Sequence, residues 1–294
     1  MSLQARDKDS VRRFIFENLP VRGEVVHLDA SWRAALERVD YPESVRTVLG
    51  EAMAAAVLLA SMLKFKGSMT LQLQSEGLLK LLVVQCTSEM NVRGLARWEG
   101  EVAGLTLSKL TEGGRMAVTI QQQDKGEQYQ GIVPLEGDSL AASFEAYFQR
   151  SEQLPTRLWL SANEESTAGM LLQMLPDKVS ETDAWDHTVT LADTLTDAEL
   201  VQLSAKEILH RLYHQDDVRL FEANPVVFRC SCSRDRIADM LRNLGRAEID
   251  SILVERDNVK VDCEFCGKEY IFDRVDAEQL FADGIAQPGS SETH

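Results

Sequence analysis

The sequence predicts an α+β protein in three parts: an N-terminal domain of mixed β-sheet with helices, a helical linker, and a small C-terminal domain that contains four cysteines. Several short segments before Pro176 alternate apolar and polar residues as strands do, and this alternation is absent from the segment that follows. Four of the five cysteines lie within the last 65 residues. We therefore expect domains at 1–176, 177–229 and 230–294.

The N-terminal domain is predicted to combine two helices with short strands. Tyr41-Pro42-Glu43 begins a long helix, because proline is tolerated in a first turn and apolar residues then recur with helical spacing as far as Leu63. A second helix is expected from 137 to about 151. Strands are predicted at 69–74, 78–84, 116–122, 129–134, 156–161 and 170–175, with turns at Glu76-Gly77 and Asp124-Lys125-Gly126.

The sequence also predicts the surroundings of two glycines and one cysteine in this domain. Arg22-Gly23 and Arg93-Gly94 predict turns or bulges. Cys86 follows an apolar run and is predicted to be a buried thiol at a strand end, since free cysteine packs as a small hydrophobe.

The linker is predicted to consist of short helices at 183–193, 197–202 and 205–213. Two of them begin with capping boxes, in which a hydroxyl residue and a glutamate three positions later satisfy each other's backbone donors. These are Thr196 with Glu199 and Ser204 with Glu207. Helices this short are marginal alone, so the linker should depend on the surface against which it packs.

The C-terminal domain is predicted to hold two helices and a hairpin. Ser233 caps a helix that reaches Leu244, with Gly245 as its stop, and a second helix is expected at 248–253. Strands at 259–263 and 269–272 flank the second pair of cysteines. The tail from Gly284 has the composition of a disordered segment.

The spacing of the four cysteines predicts a zinc site. Cys230 and Cys232 are separated by one residue, thirty residues follow, and Cys263 and Cys266 are separated by two. Zn²⁺ takes four ligands in tetrahedral geometry, and a Cys-x2-Cys turn can bring two thiolates to one ion. No histidine lies between 230 and 266, so the predicted ligands are four thiolates. A domain this small buries too little apolar surface to be stable without a further cross-link. Structural zinc supplies one and contributes on the order of 10 kcal/mol of folding free energy.

The spacing leaves two questions open. The four cysteines could be reduced core residues that bind no metal. A zinc site could be a permanent structural ribbon or a regulatory one, because oxidants attack thiolates and zinc holds cysteines as thiolates. Spacing alone favours the structural form.

Composition and motifs narrow the class of function. The chain carries 47 acidic and 31 basic residues, a net charge of −16, which disfavours nucleic acid as a partner. We see no long apolar run and no secretory signal, so we expect no membrane partner and a cytoplasmic location. Nucleotide and hydrolase motifs are absent, and we expect no enzymatic activity. His210 and His214 share a helix face, which we interpret as solvated and not metal-binding.

Several further segments occur in a fixed order along nearly the whole chain. Besides the cysteine pattern they are Phe228-Arg-Cys230-Ser-Cys232-Ser-Arg-Asp-Arg236, YQGIVPLEG from Tyr129, YFQRSEQLPTRL from Tyr147, GMLLQM from Gly169 and Leu212-Tyr-His214. Together they resemble the heat-shock protein 33 family, which consists of redox-regulated bacterial holdase chaperones. All four cysteine positions agree with the family pattern.

The resemblance implies an ATP-independent chaperone that prevents aggregation of proteins unfolding under heat shock or oxidative stress. The reduced form would bind one Zn²⁺ through the four cysteines and be an inactive monomer. Peroxide with heat, or hypochlorous acid, would form the disulfides Cys230–Cys232 and Cys263–Cys266, with loss of the metal and unfolding of the C-terminal domain and linker. The active protein would form a homodimer and hold unfolding client proteins.

In that scheme the apolar residues of the linker are packed in the inactive form and contact clients in the active form. The candidates for client binding are Trp185, Leu191, Leu195, Leu200, Ile208, Leu209, Leu212 and Tyr213. Two alternatives are a thiol-disulfide oxidoreductase that uses Cys263 and Cys266, and a structural zinc-ribbon module that binds protein or nucleic acid. The oxidoreductase motif normally begins a helix after a strand, whereas here it falls in a predicted hairpin.

Overall fold

The protein is described by a computed structural model that covers residues 8–123, 128–176 and 182–282. It divides into two compact units, Met1–Arg229 and Cys230–His294. The predicted linker falls within the first unit, so its status as a separate domain stays a prediction. The turn predicted at Asp124-Lys125-Gly126 and the tail predicted from Gly284 lie outside the described residues.

Two β-sheets form the framework of the first unit. The first sheet contains β1 (Ser10–Phe16), β2 (Val21–Leu28), β8 (Thr156–Ala162), β9 (Thr167–Met174), β10 (Val218–Leu220) and β11 (Asn224–Pro225). Its order is β10-β1-β2-β9-β8, with β11 also paired to β1, and every pairing is antiparallel. Its three inner strands, β1, β2 and β9, are therefore hydrogen-bonded on both sides.

The second sheet contains β3 (Gly67–Gln74), β4 (Leu79–Thr87), β5 (Asn91–Trp98), β6 (Arg115–Gln122), β7 (Gln128–Pro134) and β12 (Val227–Phe228). Its order is β12-β5-β4-β3-β6-β7, and only the pairing of β12 with β5 is parallel. The predicted pairs 69–74 with 78–84 and 116–122 with 129–134 are confirmed as β3–β4 and β6–β7. Cys86 is buried in β4 next to its last residue, as predicted.

The helices of the first unit are α1 (Ala30–Leu36), α2 (Glu43–Met62), α3 (Leu107–Leu110), α4 (Leu140–Tyr147), α5 (Thr182–Ala192), α6 (Asp197–Gln202) and α7 (Ala205–Tyr213). Helix α2 contacts both sheets and forms the centre of the larger apolar core. By length and composition it could cross a membrane, but 78% of its most apolar window is buried in the protein. A helix that is apolar on all sides is typically buried in a protein core or in a membrane, and α2 is buried in the core of this protein.

The helices predicted in the linker pack against the other face of the first sheet. Both predicted capping boxes are confirmed, with Thr196 and Ser204 each exchanging hydrogen bonds with a glutamate three positions later. Helix α7 has apolar residues along one face only, and that face is buried against Phe14, Phe16 and the strands around them. The linker helices are therefore stabilised by the surface on which they dock, as their length requires.

Three sequence predictions are wrong in this unit. Gly23 and Gly94 lie inside regular strands and not in turns or bulges. A Cβ atom at Gly23 would lie 2.2 Å from the Phe14 ring, so close packing explains this glycine. By contrast, the helix expected to reach about 151 is confirmed, because α4 continues without a break into a π turn at Phe148–Glu152. Strand patterns were also expected to be absent between 177 and 229, yet β10, β11 and β12 lie between 218 and 228.

The second unit is small and has its own core. It contains α8 (Arg234–Leu244), α9 (Arg246–Glu255), β13 (Asn258–Asp262), β14 (Glu269–Asp273) and α10 (Arg274–Ala282). Ser233 caps α8 and Gly245 ends it, both as predicted. The buried residues come from all five elements and include the aromatic rings of Tyr270 and Phe272.

Candidate metal centre

The four predicted ligands come from two places in the second unit. Cys230 and Cys232 precede the first turn of α8, and Cys263 and Cys266 lie in the turn that joins β13 to β14. The hairpin register pairs Asp262 with Glu269, which closes the strands directly beside this turn. The fold therefore brings together two cysteine pairs that are thirty residues apart in the sequence.

The four sulfur atoms form one cluster, in which every Sγ lies within 4.8 Å of every other. Cys230 Sγ lies 3.6 Å from Cys263 Sγ, and Cys232 Sγ lies 3.4 Å from Cys266 Sγ. Four thiolates around Zn²⁺ at about 2.3 Å each would be separated by about 3.8 Å, whereas bonded sulfurs lie about 2.05 Å apart. The cluster therefore has the dimensions of a four-thiolate metal site. No other group of three or more potential ligands occurs among the described residues.

The Cys263–Cys266 turn is held by its own backbone. The Gly267 amide donates to the Cys263 carbonyl at 2.6 Å, and the Cys263 amide donates to the Lys268 carbonyl at 2.9 Å. Gly267 has φ of +63°, a conformation that glycine adopts without steric cost. Backbone amides of Phe265 and Cys266 also donate to the Cys263 sulfur. The turn therefore points donors at sulfur, which favours a negatively charged thiolate.

Without a cation, the cluster disfavours four negative charges. Desolvation by burial raises the pKa of Cys266 to about 12, and hydrogen bonds with neighbouring cysteines add to the rise. Desolvation likewise raises the pKa of Cys263. Four thiolates at this separation repel one another unless a cation lies between them. A divalent ion that prefers sulfur ligands would supply that charge, so the donor set fits Zn²⁺.

Residues around the cysteines hold the cluster in shape. The Tyr270 hydroxyl donates to Cys232 Sγ at 3.2 Å, and this bond is the main reason that the pKa of Tyr270 rises to about 12. Arg236 binds the carbonyl and the hydroxyl of Ser231, the residue between the first two cysteines. Such outer contacts commonly fix the orientation of ligands in metal sites. Neither Tyr270 nor Arg236 was identified from the sequence, and only their short distance along the chain from a cysteine could have suggested them.

The residues predicted to bind clients lie elsewhere, on the face of the first sheet that α5, α6 and α7 cover. Trp185 and Leu191 are half-buried there, and the other six are buried: Leu195, Leu200, Ile208, Leu209, Leu212 and Tyr213. Two hydrogen bonds that the sequence did not reveal hold this packing. His27 Nε2 bonds to the Leu200 carbonyl at 2.8 Å, and the Tyr213 hydroxyl donates to the Thr188 carbonyl at 2.9 Å.

The pair His210 and His214 lies on the exposed face of α7, as predicted. Their ring centroids are 6.1 Å apart, and within the described part of the chain no third potential ligand joins them in a metal-binding group. Cys86 is far from the metal centre in sequence and is fully buried in the other unit. Desolvation by burial raises the pKa of Cys86 to about 12, so this thiol stays protonated and is a poor target for oxidants.

Comparison with known proteins places these features in a family. A family model described as Hsp33 protein matches residues 9–273. The 33 kDa chaperonin of Methylobacillus flagellatus is 47% identical over 97% of this chain and 99% of its own length. That of Nitrosococcus oceani is 50% identical over 98% of this chain and 99% of its own.

A solved structure is similar as well. The crystal structure of the 33 kDa chaperonin (heat shock protein 33 homolog) of Thermotoga maritima has a TM-score of 0.80 at 21% sequence identity. It covers 95% of this chain and 100% of its own, which shows that the fold is shared. The family match includes all four clustered cysteines and both sheets of the first unit. The chain therefore belongs to the Hsp33 family of chaperones.

Proposed function

We propose that this protein is a redox-regulated, ATP-independent holdase, inactive when its four clustered cysteines are reduced and bind one Zn²⁺. The observation that carries the proposal is the cluster itself, with four sulfurs within 4.8 Å of one another in a small unit. Cys230, Cys232, Cys263 and Cys266 would hold the ion as thiolates. The bound ion would join the start of α8 to the β13–β14 hairpin and so contribute to folding of the unit.

Oxidation would remove the ligands. Each pair of thiolates would give two electrons to one peroxide molecule, forming one disulfide while two protons and the peroxide become two molecules of water. Hypochlorous acid would accept the two electrons to give chloride and water. Following the family resemblance, the pairs would be Cys230–Cys232 and Cys263–Cys266. A disulfide sulfur is a poor metal ligand, so the unit would lose its metal and the folding free energy that the metal supplies.

The linker would be the second element of the switch. Helices α5, α6 and α7 are short and depend on docking, so a modest loss of stability would release them. Release would expose the apolar residues that now cover the first sheet, among them Leu200, Ile208 and Leu212. We propose that these surfaces bind unfolding clients, that the active form is a homodimer, and that reduction reverses the change. We further propose a cytoplasmic location, with neither nucleic acid nor membrane as a partner and no enzymatic turnover.

A direct test compares zinc content and client protection before and after oxidation. The zinc-loaded reduced protein should contain one Zn²⁺ per chain and should not suppress aggregation of a thermally unfolding client. After peroxide treatment at elevated temperature, zinc release and suppression should rise together. The Cys86→Ala variant is the matched control, because it removes a cysteine that lies outside the cluster and should switch normally. Full suppression by the reduced zinc form, or none by the oxidised form, would contradict the proposal.

The oxidoreductase alternative has a clear structural obstacle. Cys263 and Cys266 lie in a hairpin turn between β13 and β14, and a helix start normally lowers the pKa of the attacking cysteine in such enzymes. Robust reduction of insulin disulfides would nevertheless favour it. Strongly salt-dependent binding of DNA or RNA by the zinc-loaded protein would instead favour the zinc-ribbon alternative.

A further inference from the structure

A cavity of about 220 Å³ lies in the first unit, away from the linker helices. Its walls come from the end of α2, the α2-facing side of β3 and β6, and the π turn after α4. Most of the lining is apolar and includes Leu59, Met62, Val118, Ile120, Phe148 and Leu154. Apolar cavities with a few converging polar groups are the usual form of small-ligand sites.

Among the residues that the structure describes, Arg22 is the only cation that lines this cavity. Its Nη2 donates to Gln173 Oε1 at 2.6 Å, and Gln173 Nε2 in turn donates to Thr156 Oγ1 at 2.9 Å. The Nε atom of Arg22 is buried and has no hydrogen-bond partner within the described residues. A buried donor on a charged group destabilises the folded protein when it makes no hydrogen bond. The unpaired Nε atom of Arg22 therefore indicates a position where a ligand could supply an acceptor.

The nearest carboxylates do not supply that acceptor. Glu24 lies two residues along the same strand, but its carboxylate is directed at other groups, because its Oε1 pairs with Arg13 at 3.1 Å and Ser61 also bonds to the carboxylate. Glu152 lines the cavity and is exposed, and no ion pair joins it to Arg22 among the described residues. The cavity therefore contains a guanidinium that makes no direct ion pair among the described residues, although its positive charge opposes the rise in the pKa of the nearby Glu24.

The wall opposite the strands has an unusual backbone. Phe148–Glu152 forms a π turn, and Gln153 follows it with φ of +53°, a conformation that non-glycine residues seldom adopt. Isolated π turns occur frequently at functional sites. Phe148 begins this turn and Leu154 follows it by two residues, and both line the cavity. The Tyr147 hydroxyl lies beside Gly131, where a Cβ atom would come within 2.7 Å of it.

We propose that this cavity binds a small amphipathic monocarboxylate, with the carboxylate on the Arg22 guanidinium and the apolar group between α2 and β6. At about 30 Å³ for each water-sized group, the cavity holds roughly seven non-hydrogen atoms. That is close to the size of a straight-chain acid of five or six carbons in total, which has about seven or eight non-hydrogen atoms. A short fatty acid and the C-terminal apolar residue of a peptide share this chemistry. The site is independent of the cysteine cluster.

The test is a titration of the zinc-loaded full chain with hexanoate, followed by NMR of the methyl groups of Val118, Ile120 and Leu154. Hexanol is the matched probe that has the same chain and no charge. We expect saturable shifts of these methyl signals, with hexanoate binding about tenfold more tightly than hexanol because a hydrogen bond to a charged group is formed. An N-acetylated tetrapeptide ending in leucine, compared with its C-terminal amide, distinguishes a peptide terminus from a free acid as the source of the carboxylate.

The variant Arg22→Met should reduce the preference for hexanoate over hexanol to within about twofold, whereas Arg33→Met, at an exposed arginine on α1, should leave it unchanged. Equal affinity of the wild-type protein for hexanoate and hexanol would overturn carboxylate recognition, whatever the variant does. Absence of saturable shifts at these methyl groups would overturn the site itself. Binding of only one of the two carboxylate sources would support the site and identify the source.

Discussion

The hydrogen bond between His27 and α6 gives the sharpest test of how the linker is held. His27 is buried on β2, and its Nε2 lies 2.8 Å from the Leu200 carbonyl near the end of a six-residue helix. Carbonyls in a last helical turn have no partner within the helix, and a carbonyl only accepts, so Nε2 carries the proton. We predict that His27→Phe, which keeps an aromatic ring but removes the donor, loosens α6 without unfolding the first sheet.

The magnitude follows from the burial of that carbonyl. Leaving a buried acceptor without a partner costs about 1–3 kcal/mol, which corresponds to a factor of about 5 to 160 in a local opening equilibrium. Hydrogen exchange that proceeds through local opening should accelerate by the same factor. The peptide covering 197–203 should therefore exchange about 5- to 160-fold faster in the reduced, zinc-loaded variant. If docking of the linker limits activation, less peroxide should also suffice for client protection.

The assay is hydrogen exchange detected by mass spectrometry, with urea denaturation measured in parallel to separate local from global destabilisation. His210→Phe is the matched control, because His210 is exposed on α7 and its replacement should leave exchange in α6 unchanged. A folded His27→Phe protein whose α6 exchanged within twofold of the wild-type rate would refute the anchoring role of His27.

Three further predictions concern the metal centre and a buried charge. Cys266→Ser should lose stoichiometric zinc and unfold residues 230–282 while the first unit stays folded, as seen by hydrogen exchange, because structural zinc supplies on the order of 10 kcal/mol. Tyr270→Phe should release zinc to a chelator about tenfold faster, since it removes the hydrogen bond to Cys232 Sγ. Desolvation by burial raises the pKa of Glu24 from its ordinary value of 4.5 to about 7, so the folded state binds more protons than the unfolded state in that range. Glu24 therefore lowers stability as pH rises, and Glu24→Gln should remove about 2 kcal/mol of the stability difference between pH 5 and pH 8 in urea denaturation.

Each of the three predictions has a control variant and a result that would contradict it. Cys86→Ala should keep its zinc, and full zinc content in Cys266→Ser would refute the four-ligand site. Tyr129→Phe, at an exposed tyrosine of the first unit, should release zinc at the wild-type rate, and equal rates in all three proteins would show that Tyr270 does not support the ligands. For Glu24, Asp183→Asn on α5 serves as an exposed control. An unchanged pH profile in Glu24→Gln would mean that Glu24 has an ordinary pKa in the folded protein.

The elements that were predicted correctly have sequence signals that lie within a few neighbouring residues. The capping boxes at Thr196 and Ser204 fix the start of α6 and α7 within a few residues of sequence, and both were found where expected. Strand β3 has one face toward the core, so its alternation is visible in the sequence. The four cysteines could likewise be grouped from spacing alone, because two short-range pairs leave few ways to complete one tetrahedral site.

The missed elements have no such local signal. Strand β2 is buried on almost every residue because α2 packs on one face and the linker helices on the other, so its apolar residues do not alternate. Strands β10 and β11 are two or three residues long, and both pair with β1 about 200 positions earlier. The contacts of His27 and Tyr270 join residues that are 173 and 38 positions apart, respectively. Only the folded chain brings such partners together.

The pairing of β10 and β11 with β1 has a consequence for the released state. These two strands cover the β1 edge of the first sheet, and β12 covers the β5 edge of the second, so the end of the linker shields one edge of each sheet from other strands. Undocking of residues 218–228 would leave β1 and β5 with rows of unpaired amide and carbonyl groups. An open edge is a template that any extended chain can join by main-chain hydrogen bonds, whatever its side chains. Release of the linker would thus add backbone pairing, which does not depend on client sequence, to the apolar surface that it exposes.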